Sequence, residues 1–185
     1  MSQNFNELIA YSKAFSGLTP ELEACLKDIA PILIPHLKSV TDRFYEQLIT
    51  IPVTEKYLAG RIDQLKAAHL KWLADLFTLN IDAPFAESMY KVGDIHVKVN
   101  LPVEFMAGAM TLINIELIRL VVETMSDDLG KCSQALQAIS AVTGLALMVM
   151  QQSYQESSMA EELEKFLRIS GMSRTLFTNL AKAYN

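Results

Sequence analysis

His96 sits in the gap of an apolar stripe. Between Pro84 and Pro102 (PFAESMYKVGDIHVKVNLP), Phe85, Met89, Val92 and Val99 recur at spacings of four, three and seven, the core-facing stripe of a helix. His96 falls four residues after Val92 and three before Val99, so the same periodicity turns its imidazole toward the core. A buried imidazole is costly unless something satisfies it. Two readings follow: a core histidine bonded to a carbonyl, or an imidazole coordinating a metal or a haem iron.

Three further residues could take part. Tyr45 shares a helix face with Ile34, Leu37, Thr41 and Leu48, with Phe44 beside it. A phenol on such a face needs a partner for its hydroxyl or a route to the surface, and no partner lies one turn away. His69 falls on the stripe Ile62, Leu65, His69, Trp72, Leu76, a second candidate ligand. Its neighbours Lys66 and Lys71 suggest the boundary between core and solvent, and with it a structural or surface role. His36, beside Pro35, reads as structural. Other chemistries lack their residues: no histidine has a glutamate three before it, and HExxH, GxSxG, GxGxxG and a phosphate-binding glycine loop are missing. What remains is one histidine facing an aromatic hydroxyl across an apolar slot, a combination that suits haem.

The elements that must position these residues are helical throughout. Residues 4–15 make a short amphipathic helix ended by Gly17, and Thr19-Pro20-Glu21 starts the next, expected to end near Ala30 because Pro31 and Pro35 follow. Helices are expected over 33–50, from Gly60 through QLKAAHLKWLADLF, over 84–101 and over 103–125. The stretch from Cys132 to Gln155 carries no charge, but its glutamines, serines and threonine leave too short an apolar run to span a bilayer. A helix apolar nearly all round is buried on two sides, and in a domain this small the second side is expected to be another copy of the chain. From Glu156 the charge returns in a milder amphipathic tail.

Composition sets the frame. The chain has 185 residues, 51% hydrophobic and 20% charged, enough for one domain with a large core. A net charge of −5 with no basic run argues against a nucleic-acid surface. Two cysteines, Cys25 and Cys132, make no disulfide framework, and no signal peptide or membrane partner is apparent, so a cytoplasmic setting is expected.

Three stretches together resemble a known family. VGDIHVKVNLPVEFMAGA is similar to the proximal-helix signature of the globin-coupled sensors, Phe44-Tyr45 followed by EQLI resembles their distal tyrosine, and QLKAAHLKWLADLF resembles their E helix. The matches stand in the family's order and cover residues 33 to about 125. The resemblance implies an all-α sensor-globin fold, with a short N-terminal helix before the A helix, holding b-type haem. His96 would be the proximal ligand and Tyr45 the distal hydrogen-bond donor, with Phe44 beside it. Leu65 and Ala68 would form the distal wall, and Val92 and Val99 would flank the proximal side. It departs at Ala68, where some relatives carry a threonine. The sensor domain is expected over 1–157, with 158–185 a helical tail or the start of a linker.

The function so implied is a haem-based sensor of oxygen, with carbon monoxide and nitric oxide as further ligands. It would form a homodimer through its last two helices and pass its signal to an output domain or a partner protein. It would not itself be an enzyme. Two alternatives use the same fold: a haem oxygenase or nitric oxide dioxygenase, and a non-haem interaction module with His96 satisfied internally.

Overall fold

Several helices begin where a small polar residue caps them. Asn4 accepts from the Glu7 amide at 3.3 Å to open α1 (Phe5–Ser16), and Gly17 closes it with φ +68°. Thr19 and Pro20 start α2 (Pro20–Leu33) as expected, but the helix runs three residues past Ala30. Pro31 lies on its exposed side, while Leu26, Ile29, Ala30 and Leu33 are buried on the other, and that burial carries the helix through the missing amide. A turn of 3-10 helix over Ile34–His36 follows, so α3 (Leu37–Ile49) begins four residues later than its periodicity predicts. A computed structural model describes residues 3–184, and among these no strand occurs.

The remaining elements are α4 (Glu55–Leu58), α5 (Ile62–Thr78), α6 (Ala83–Lys98), α7 (Val103–Met125), α8 (Leu129–Ser170) and α9 (Arg174–Tyr184). Asp82 caps α6 by accepting from the Phe85 amide at 3.2 Å, with Pro84 in the first turn. Asp128 caps α8 by accepting from the Lys131 amide at 3.0 Å.

The organising element is α8, against which α6, α7, α1 and α2 all pack, while α3 lies on α5 and α7. Its 42 residues make a rod about 63 Å long. Ala135, Ala138, Ile139, Val142, Leu145, Ala146 and Val149 are wholly buried along its first half. The buried stripe stops at Ser153; beyond it, Leu167 is buried. The expected boundary at 157/158 thus falls inside one unbroken helix. α9 folds back on that extension through Phe166 and Phe177, whose rings meet edge to face, and an Arg174–Glu164 ion pair.

Both α7 and α8 are long and apolar enough to cross a membrane by length and composition. In this fold they are core helices, yet only 33% of the most apolar stretch of α7 is buried. Ile115 and Val122, each 47% exposed, leave an apolar outer face on it.

Candidate cofactor site

Helix α6 has two working faces where the sequence suggested one. Phe85, Ala86, Met89, Gly93 and Val97 are buried, whereas Val92 and His96 are half-buried and Val99 is 36% exposed. The helix is therefore rolled so that Gly93, not Val92, faces α8. A β-carbon on Gly93 would lie 2.4 Å from the Met150 carbonyl oxygen, an approach open to glycine alone. At 100° per residue His96 stands roughly 60° round from Gly93, away from α8.

Polar groups fix that docking. The Ser153 hydroxyl, wholly buried, lies 2.6 Å from the Tyr90 carbonyl oxygen and 2.8 Å from Asp94 Oδ1, and its one proton is shared between these acceptors. Ser157 donates to the same Asp94 oxygen at 2.5 Å, and Tyr90 donates to Glu156 at 2.5 Å. None of these residues was legible as a pair in the sequence. They are some sixty positions apart, and a glycine leaves no mark in a hydrophobic pattern.

The His96 ring keeps Nδ1 buried without a hydrogen-bond partner. Burial lowers its pKa; the Val92 carbonyl one turn back pulls the other way but lies outside hydrogen-bond geometry. The ring is thus neutral at physiological pH, with a lone pair to offer.

Phe44 and Tyr45 of α3 are buried with their rings edge to face at 5.1 Å. Burial alone pushes the Tyr45 pKa up to about 12, so the phenol stays neutral: a hydrogen-bond donor, not an anion. Leu65 is half-buried against the core and Ala68 is exposed, so of the two expected wall residues Leu65 packs inward.

His69 does not sit at the solvent boundary its lysine neighbours suggested. Its ring lies 4.7 Å from Phe44, 5.8 Å edge-on from Tyr45 and 5.7 Å from Trp72, the last nearly parallel at 14°. Both ring nitrogens are buried and neither has a partner. Burial lowers its pKa to about 4. Each unsatisfied buried nitrogen costs about 1–3 kcal/mol. His36, which reads as structural in the sequence, is exposed.

The two histidines belong to consecutive helices that pack on different neighbours. Both helices run away from the short linker over 79–82, and α6 packs on α8 and α1 while α5 packs on α3 and α2. Near the linker the Trp72 indole N–H points at Met89 Sδ, 3.1 Å away.

This donor set fits haem. Three of the buried side-chain atoms without partners are imidazole nitrogens on these two rings. Among the described residues no group of three or more His, Cys, Asp and Glu side chains could hold a bare metal ion. A metal bound here must bring most of its own ligands, as iron in a porphyrin does.

Comparison with known proteins gives the same direction. The Protoglobin family profile matches residues 5–160. The fold is similar to the globin domain of a Geobacter sulfurreducens globin-coupled sensor (TM-score 0.72, 24% identity), with 78% of this chain and 96% of that one covered. It is also similar to the globin domain of E. coli DosC in its ferric form (TM-score 0.66, 16% identity) and its ferrous form (0.67, 17%), with 79% of this chain and 99% of each covered. No protein of curated function matches.

Proposed function

The chain belongs to the protoglobin family, whose cofactor is haem, and on that premise we propose that it is a sensor of diatomic gas, oxygen foremost, rather than an enzyme. Haem iron supplies the reversible gas binding; the chain supplies everything else. His96 holds the iron from α6, its Nδ1 turned toward its own helix so that the other nitrogen is the ligand. Phe44 and Leu65 keep water from the distal side, and the Tyr45 hydroxyl donates a hydrogen bond to the gas. Val92 and Val99 flank the proximal face.

A sensor also needs a way out for the signal. The docking of α6 on α8 would serve as a direct one. Gly93, Asp94 and Tyr90, all within two turns of His96, are clamped to Met150, Ser153, Glu156 and Ser157 of the helix that leaves the core. A shift of α6 on gas binding would reach α8 without passing through α7. The same two helices, α7 and α8, would make a homodimer. The outer face of α7 carries Ile115 and Val122, and residues 132–155 of α8 bear no charge. From there α8 and α9 would carry the change to an output domain or partner protein.

The observation that carries this reading is the set of three buried imidazole nitrogens without partners, on two helices that pack on different neighbours. The experiment is an absorption spectrum of the expressed full chain, reduced and then exposed to oxygen. A Soret band that shifts on exposure and returns when the gas is removed is expected. A colourless, folded protein refutes the reading.

A further inference from the structure

We propose that α9 docks on an anionic membrane surface, lying in the headgroup plane with Leu176 and Leu180 turned into the lipid. The inference goes beyond the gas-sensing reading and does not depend on it.

Charge is divided unevenly along the chain. All 21 acidic residues lie before Lys165, whereas residues 165–185 carry Lys165, Arg168, Arg174 and Lys182 and no acid. A chain of net charge −5 thus ends in a basic stretch, the asymmetry of a segment that meets an anionic surface. Two of these cations are paired inside the chain, Lys165 with Glu162 at 2.9 Å and Arg174 with Glu164. Arg168 and Lys182 are exposed and have no acidic partner among the described residues.

The helix that presents this charge is a separately built element. Gly171, at φ +68°, ends α8, and Ser173 caps α9 by accepting from the Leu176 amide at 3.2 Å. At 3.6 residues per turn, Leu176, Phe177, Leu180 and Ala183 fall on one arc of α9, and Arg174, Thr178 and Lys182 on the other. Phe177 is drawn in against the Phe166 ring, but Leu176 and Leu180 stay 50% and 52% exposed. Ile169, in the last turn of α8, is 88% exposed.

A second copy of the chain is the rival occupant of this face. Pairing two α9 helices along it would bring Arg174 and Lys182 of each together, and α9 has no carboxylate to offset them. A bilayer interface suits the pattern better. There apolar side chains enter the acyl boundary while the cations stay among the phosphates.

The test is sedimentation of the full chain with vesicles of phosphatidylcholine alone and with about a third phosphatidylglycerol added. The chain should pellet with the anionic vesicles, stay in solution with the neutral ones, and come off as salt is raised to about 1 M. Each cation near an anionic surface is worth roughly fivefold in partition, so Arg168→Gln with Lys182→Gln should weaken binding roughly twenty-five-fold. Leu176→Ser with Leu180→Ser should weaken it at least tenfold. All four side chains lie outside the core, so both double variants should keep the wild-type melting temperature and absorption spectrum. No binding to anionic vesicles, or equal binding to neutral ones, overturns the proposal. So does a self-association in solution that the leucine variant abolishes while vesicles remain unbound, which would give the face to a second copy.

Discussion

Gly93 of α6 and Met150 of α8 stand so close that a β-carbon on the glycine would lie 2.4 Å from the methionine's carbonyl oxygen, and 2.8 Å from Cβ and Oγ of Ser153. A backbone oxygen inside a helix cannot swing aside as a side-chain tip can. Gly93→Ala must therefore push the helices apart, and the expected cost is about 1–3 kcal/mol, the usual range for overfilling a packed interior. It should appear as a lower denaturation midpoint with an unchanged m value. Because His96 follows three residues later, the Soret band of the variant should shift as well. A wild-type midpoint would show that the helices are not so closely docked.

His96→Ala removes the ligand assigned to α6. The purified variant should retain haem poorly, measured as the ratio of Soret to protein absorbance, while its far-ultraviolet helix signal persists. The two histidines are not equivalent in this respect: losing His69 should leave the pigment bound, whereas losing His96 should lose the pigment. A variant at position 96 with wild-type haem content would move the proximal role elsewhere.

The contrast between these two residues also marks how far the sequence can be read. The stripe Phe85, Met89, Val92, His96, Val99 located the α6 histidine, but not the direction in which it points. The roll of the helix is decided by Gly93, which has no side chain to register in a hydrophobic pattern. His69 was placed on the right stripe and then drawn toward the surface by Lys66 and Lys71. Lys66 instead reaches over to Asp42 on α3 at 2.7 Å, and Lys71 pairs with Asp75 along its own helix at 3.0 Å, leaving the imidazole enclosed beneath them. Long cationic side chains can border a core without exposing their neighbours. In α8 the return of charge at Glu156 marks where the core ends, near Ser153, and not where the helix ends. Periodicity and caps report local structure, so the helices were legible; the docking of one helix on another at sixty residues' separation was not.

The bridge from Lys66 to Asp42 also predicts an acid response. Asp42 accepts from Lys38 at 2.6 Å and from Lys66 at 2.7 Å, and these bonds lower its pKa from the usual 3.8 to about 2. A carboxyl held below its unfolded value contributes stability that is fully present above pH 4 and is lost as the pH falls through 2. The Asp42→Asn variant should lack that limb. Its melting temperature relative to wild type should be lowest above pH 4, and the gap should close between pH 4 and 2. The residue is well solvated, so the effect should shrink in high salt. A gap constant over the whole acid range would mean that the bridge contributes nothing to holding α3 on α5.

Tyr45 and His69 meet edge to face at 5.8 Å, and on the proposed reading the hydroxyl on the first ring would give the site a preference among gases. Oxygen as a haem ligand is polarised and accepts a hydrogen bond well; carbon monoxide is much less so. A charge-assisted bond in a dry pocket is worth about 1.5–3 kcal/mol, or roughly ten- to a hundredfold in affinity. Tyr45→Phe keeps the ring and its packing on Phe44 while deleting the donor. Oxygen release from the reduced protein should therefore speed up by roughly one to two orders of magnitude, with carbon monoxide release changed little. If the two gases leave equally faster from the phenylalanine variant, the phenol acts by packing and not as a donor.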